Sequence, residues 1–173
     1  MIRLRPYKEC DAQIIAEWIK DKDVFLKWGG SLFGEFPISA DIINEKYILK
    51  NGDCKEPDNF YPWIAIDEEN RVVGHFIMRY LHGDNRMFRF GWVIVDDSIR
   101  GKGYGGEMLR AGLKYAFEIL DVNVVTLGVF VNNPTAHNCY KKAGFTDREI
   151  VVIEPWNVIE MEIDKAGYEA KYS

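Results

Sequence analysis

The chain has 173 residues, 47% of them hydrophobic and 28% charged, which excludes a disordered tail, a collagen-like fibre and a disulfide-rich miniprotein. Twenty-two basic against 27 acidic residues give a formal net charge of -5, and with a pI near 5.3 the chain lacks the basic footprint of a nucleic-acid binder. The length suits a single domain over 1–173 with room for a substantial core.

Cys10, Cys54 and Cys139 are odd in number and widely spaced, which fits a reducing cytosol and offers no metal cluster. The first ten residues break their apolar character with charge every second or third position, unlike a signal peptide. No segment approaches the ~20 apolar residues of a membrane span. The expectation is a cytoplasmic protein with neither a membrane nor a nucleic-acid partner.

Residues Ile2 to Arg5 alternate apolar and charged, the pattern of a half-buried strand. Ile14, Ile15, Trp18 and Ile19 then recur at helical spacing within 9–20, and a second short helix runs through Val24, Phe25, Leu26 and Trp28 to a stop at Gly29-Gly30. Ser31 to Pro37 reads as a loop. Ser39 is placed to cap a helix carrying Ile42, Ile43, Tyr47 and Ile48, which Asn51-Gly52 would end. Three β runs come next at 60–66, 72–81 and 87–95, separated by polar turns at 67–71 and around Gly83-Asp84-Asn85, and these predict an antiparallel meander. A glycine-rich turn leads into a helix over about 103–120 with an apolar stripe of Leu109, Leu113, Ala116, Phe117 and Leu120. A strand at 124–131, a helix from Pro134 to Ala143 and two strands near 145–154 and 157–163 complete the chain. The predicted fold is α+β, an α/β mixed sheet in which the meander is followed by β-α-β-α and a C-terminal β hairpin.

The turn reads Arg100-Gly101-Lys102-Gly103-Tyr104-Gly105-Gly106. Four glycines let the backbone approach a ligand without Cβ clashes, and a helix N-terminus behind them favours a phosphate or pyrophosphate. A bare strand-to-helix turn would need one glycine, so the surplus favours an anion site. Gly101, Gly103 and Gly106 match G-x-G-x-x-G, yet the following strand ends Val129-Phe130-Val131-Asn132-Asn133 with no carboxylate for a ribose.

Arg100-x-x-Gly103-x-Gly105, directly after Val93-Ile94-Val95-Asp96-Asp97, resembles the acyl-CoA loop of the GNAT N-acetyltransferases. Asn133-Pro134-x-Ala136-x-Asn138-x-Tyr140-Lys141-Lys142-x-Gly144-Phe145 resembles that family's second coenzyme A element, one helix and one strand later. The second motif has its own local logic, with Asn133 at an N-cap, Pro134 at N1 and Gly144 at a left-handed C′ position. The likeness covers residues 60–163, an acetyl-CoA-binding core, and leaves 1–59 as the part that shapes the acceptor site.

The resemblance implies an acyltransferase that moves acetyl from acetyl-CoA, its co-substrate, to a primary amine of a small molecule or of a peptide or protein N-terminus, by direct transfer in a ternary complex. It implies cofactor contacts at Val95, Arg100, Gly101, Lys102, Gly103, Tyr104, Gly105, Gly106, Asn133 and Asn138, a polarising backbone N–H from 90–95, and Tyr140 as general acid. Many relatives carry a glutamate base on the strand before the second motif, whereas this chain reads Leu127-Gly128-Val129-Phe130 there. Glu35, His75, His82, Asp96 or a water chain stay open as the base. Cys139 has no histidine at a telling spacing and reads as a small buried hydrophobe. Trp28, Phe33 and Glu35 lie where relatives place acceptor loops, and Trp28-Gly29-Gly30 with the Tyr47 helix resembles both the aminoglycoside 6′-N-acetyltransferases and the ribosomal-protein N-terminal acetyltransferases. The C-terminal hairpin leaves edge strands that could pair two subunits in a homodimer. Two rivals stay open: an acyl-CoA-binding sensor without catalysis, and a dinucleotide-dependent oxidoreductase.

Overall fold

A computed structural model describes every residue of the chain except Gly83 and Arg100. Seven strands form one mixed sheet in the order β1-β2-β3-β4-β5-β7-β6. They are β1 (Arg3–Pro6), β2 (Tyr61–Ile66), β3 (Val72–Leu81), β4 (Asp84–Val95), β5 (Val124–Phe130), β6 (Thr146–Val151) and β7 (Val158–Asp164). β2 to β4 are the expected antiparallel meander, and β1 pairs antiparallel with β2 at its outer edge. The C-terminal hairpin also forms, with β7 inserted antiparallel between β5 and β6. β4 and β5 alone run parallel, and a connection of that kind needs the crossover helix the sequence supplies.

The helices begin and end where side chains and glycines allow. α1 (Asp11–Trp18) and α2 (Lys22–Trp28) come after β1; the Asp21 carboxylate accepts from Val24 N at 2.8 Å to start α2, and Gly29 at φ 90° stops it. Ser39 caps α3 (Ala40–Asn44), which continues as a wider helical turn over Glu45–Leu49. α4 (Tyr104–Lys114) also widens, over Tyr115–Ile119, and α5 spans Pro134–Ala143 between an Asn133 cap and Gly144 at φ 109°. The chain closes with α6 (Lys165–Tyr172), which periodicity did not reveal; the Asp164 carboxylate caps it at Gly167 N, and Tyr168 stacks on Phe117 at 4.9 Å.

Both faces of the sheet are covered, so β3 is buried along most of its length. Phe76, Met78, Phe88 and Phe90 pack under α4, α5 and α6, against Met108, Leu113, Tyr140 and Tyr168. Ile64 and Ile77 pack on the opposite face against Ala12, Ile15, Phe25, Trp28, Ile43 and Tyr47 of the helices that precede the meander.

Two irregularities in β4 open the sheet. Between the Ile77–Gly91 and His75–Ile94 pairs, β3 advances two residues while β4 advances three. The extra residue is a β-bulge that holds Trp92 at φ 44°, and it reverses the side-chain alternation. Phe88 and Phe90 therefore face α4, while Trp92 and Ile94 face α2. The second is the brief pairing with β5, confined to Met87–Val124, Phe88–Val125 and Arg89–Thr126. Past Arg89 the strands splay, β4 staying with β3 and β5 with β7.

Candidate active site

The glycine turn sits at the open end of this splay, where β4 ends. Gly101 and Gly103 adopt φ of 83° and 75°, conformations that cost an L side chain about 1–2 kcal/mol. A Cβ on Gly101, Gly103 or Gly106 would meet no atom within 4 Å, so clear space lies in front of the turn. Glu107 N donates to Gly103 O at 3.0 Å, and the amides of Tyr104, Gly105 and Gly106 precede that bond in the first turn of α4, where helix amides lack intrahelical acceptors. The arrangement fits a diphosphate: open space, clustered N–H groups and the positive end of a helix dipole. Lys102 is exposed beside it. Arg100 lies outside the described residues. The Tyr104 side chain lines a separate cavity of about 150 Å3 with Asp67, Glu69 and Arg71, which leaves its backbone to serve the turn.

Gly105 marks the point of convergence. A Cβ there would stand 3.4 Å from Cys139 Sγ and 3.7 Å from Val95 Cγ2, so α4, the end of β4 and α5 meet at this residue. Next to Cys139, Tyr140 is 7% exposed and packs edge-on to Phe145. Its hydroxyl has no hydrogen-bond partner among the described residues, yet it is not sealed, the sealed and unpartnered side-chain polar atom there being Trp63 Nε1. Burial pushes the Tyr140 hydroxyl well above the ordinary phenol range, and the neighbouring Cys139 adds to the shift, so it keeps its proton at neutral pH. The Asn133 carbonyl oxygen is engaged as the helix cap, accepting from Ala136 N at 3.3 Å. Asn138 is exposed one turn on.

A cavity of about 550 Å3 opens between β4 and β5 beyond their last pair, walled by Phe90, Gly91 and Trp92 on one side and Gly128 and Phe130 on the other. Trp28 lines it and is 6% exposed, with its indole N–H donating to Trp92 O at 3.0 Å. That bond ties α2 to the bulge. Phe33 supports the wall from behind, stacked on Trp28 at 4.8 Å and tilted against Trp92 at 4.8 Å. Glu35 is exposed and takes no part in the cavity lining.

The remaining base candidates separate on geometry. His75 is fully buried, with Nδ1 2.8 Å from Trp63 O and Nε2 2.7 Å from Tyr47 Oη. A carbonyl only accepts, so Nδ1 carries the proton and Nε2 accepts from Tyr47; both nitrogens are occupied and neither is free to take a proton from a substrate. Asp96 is engaged by Ser98. Its Oδ1 accepts from Ser98 N at 2.9 Å and Ser98 Oγ at 2.7 Å, capping the short helical turn before the glycine turn. His82 lines the cavity at its rim.

Several lining residues gave no signal in the sequence. Glu56, in the connector before β2, lines the cavity half-buried and has no ion-pair partner among the described residues. Arg79 and Arg89 line it from adjacent strands. Gly128 explains the absent carboxylate on β5: a Cβ there would stand 3.0 Å from Arg89 Nη2 and 3.2 Å from Glu160 Oε1. The missing side chain leaves room for Glu160, its register partner on β7, to reach Arg89 with two bonds of 2.7 and 3.0 Å.

The acetyltransferase (GNAT) domain model matches residues 2–146. The spermidine N(1)-acetyltransferase of Vibrio cholerae is 22% identical over 153 residues, 88% of this chain and 83% of that protein. An uncharacterised N-acetyltransferase of Bacillus subtilis is 25% identical over 82% of this chain and 76% of its own length. The crystal structure of the V. cholerae enzyme with CoA and spermine superposes with a TM-score of 0.79 at 23% identity, covering 97% of this chain and 98% of that one. The aminoglycoside acetyltransferase AAC(6')-Ib with coenzyme A and kanamycin gives 0.81 at 20% identity over the full length of both chains. The family match leaves no place for the dinucleotide reading, and the chain belongs to the GNAT acetyltransferase family as an acetyl-CoA-dependent N-acetyltransferase.

Proposed function

We propose that the two sides of the splay divide the reaction between them, with the glycine turn holding the coenzyme and the cavity of about 550 Å3 receiving a primary amine of a small molecule or of a peptide or protein N-terminus. The observation that carries this reading is the splay itself, which opens directly beyond the three β4–β5 pairs. Clear space in front of Gly101, Gly103 and Gly106, beside the first-turn amides, supports a diphosphate there, with Lys102 at the rim and the Asn133 and Asn138 amides along the pantetheine arm. The lining contributed by residues 27–56 supports an acceptor-shaping role for the first 59 residues.

Bound acetyl-CoA supplies an activated thioester. Beyond Arg89 the backbone groups of β4 on its β5 side lose their ladder partner, and an N–H among them is suited to polarise the thioester carbonyl. Tyr140 Oη donates to the sulfur as the thiolate leaves. Glu56, unpaired and facing the cavity, is suited to take the ammonium proton, directly or through water. Direct transfer in a ternary complex is the consistent route, because burial pushes up the thiols of Cys139 and of Cys54, which lines the cavity, away from the thiolate that attack would need.

The exposed Ile150, Val152 and Ile153 at and beside the edge strand β6 support a homodimer through that edge. Among the described residues no helix is long and apolar enough to cross a membrane, and the free cysteines suit the cytoplasm.

The direct test is Tyr140→Phe. A proton donor in this position is worth ~10²-fold or more in rate, so kcat should fall by about that factor while the KM for acetyl-CoA holds. An unchanged kcat removes Tyr140 from the chemistry.

A further inference from the structure

The cavity that receives the acceptor carries an unneutralised positive charge in an acidic protein. Four basic side chains line it, Lys27, Lys55, Arg79 and Arg89, against two carboxylates, Asp53 and Glu56. Three of these six charges are already committed. Lys27 pairs with Asp23 at 2.9 Å, Asp53 with Lys46, and Arg89 with both oxygens of Glu160. Of the other three, Lys55 is exposed, Glu56 is a carboxylate, and Arg79 is the half-buried cation. Its side chain, on β3, makes no hydrogen bond or ion pair among the described residues. It also lies directly across the strand pair from Arg89, a position where like charges repel.

A guanidinium in this setting lacks a counter-charge. Burial lowers the Arg79 pKa, the nearby Cys54 opposes that, and Arg89 lowers it further. Glu56 attracts it without reaching ion-pairing distance. An oxyanion seated on Arg79 would relieve the repulsion with Arg89 and make use of the planar donor fork. Glu56, on the same cavity wall, is left for the acceptor's ammonium.

We propose that Arg79 is the specificity-determining residue of the acceptor site, and that the acceptor is an amine that also carries an oxyanion, a carboxylate or a phosphate, rather than a polycation. The inference rests on the acetyl-transfer reading above and names the substrate class of that same cavity. Its geometric basis is the Arg79–Arg89 cross-strand pair at the closed end of the splay, with only one of the two guanidiniums neutralised. The two sources of an oxyanion share this chemistry and are separated by the test.

The experiment measures CoA release with matched acceptors: a panel of free amino acids, their methyl esters, aminoalkyl phosphates, and spermidine as the polycation. The expected result is the highest kcat/KM for one acid-bearing class, with loss on esterification of its carboxylate or alkylation of its phosphate. Arg79→Gln should raise KM for that acceptor roughly ten- to a hundred-fold, leave kcat within a few-fold, and leave the ester unaffected. Arg79→Lys should recover part of the loss, which a purely structural role would not produce. If spermidine is the best acceptor and Arg79→Gln leaves it equal or improved, the inference is overturned and the transferase reading stands. Failure to bind acetyl-CoA overturns both together.

Discussion

At the residue scale the chemistry depends on which polar groups are already engaged. His75 is a suitable general base by composition and an unsuitable one by position, because Trp63 O and Tyr47 Oη hold both ring nitrogens. Burial pulls its pKa from 6.5 down to about 4, against the raising effects of the Trp63 carbonyl and Asp11. The neutral ring is the native form, so its contribution is complete above pH 6.5 and declines as pH falls from 6.5 towards 4, where only the unfolded chain takes up the proton. About 3 kcal/mol lies in that window. Asp11 acts in a lower range: burial raises its pKa, but hydrogen bonds from Arg5 and Lys8 N outweigh this and hold it below the usual carboxylate value. Urea unfolding between about pH 7.5 and about pH 4.5 should show a flatter pH dependence in His75→Gln than in the parent. Equal slopes would mean that His75 is not buried neutral. The sequence marked His75 as one of several open candidates for the base. It could not show occupancy, since Tyr47 lies 28 residues away along the chain. Tyr140 and the turn glycines were legible because backbone constraints fix their spacing locally. Glu56 and Arg79 were not, because they line a cavity assembled from distant segments.

At the element scale, caps and turns carried the fold. Ser39, Asn133 and Gly144 stand where their residue types predict, since each satisfies a backbone group close to it along the chain. The bulge at Trp92 had no local mark, because it arises from pairing with β3 and a non-glycine residue holds the left-handed conformation. α6 was missed for a related reason: eight residues give little periodicity, and its apolar side is made of tyrosines that find Phe117 only in the folded chain. β5 shows the opposite case, a glycine required by partners on the neighbouring strands. Gly128→Ala should cost about 1–3 kcal/mol by overpacking, since the new methyl would stand 2.9 Å from Val158 Cγ1 and 3.0 Å from Arg89 Nη2. A thermal midpoint unchanged from the parent would contradict the packing that places Glu160 over this residue.

At the scale of the whole molecule, two helical layers on a splayed sheet create two distinct openings at one seam. One faces the α4 terminus, with clear space and first-turn amides. The other is the cavity proposed for the acceptor, whose lining charges favour the positive sign, while the chain as a whole is -5. Net charge therefore said nothing about this site, whose sign comes from side chains gathered from residues 27–89. The most direct measurement is a calorimetric titration of the full chain with acetyl-CoA. Saturable one-to-one binding in the micromolar range, about −8 kcal/mol, is the expected result, with Gly103→Val weakening it at least tenfold while circular dichroism is unchanged. No heat of binding at millimolar acetyl-CoA would contradict the assignment of the glycine turn and the division of the seam built on it.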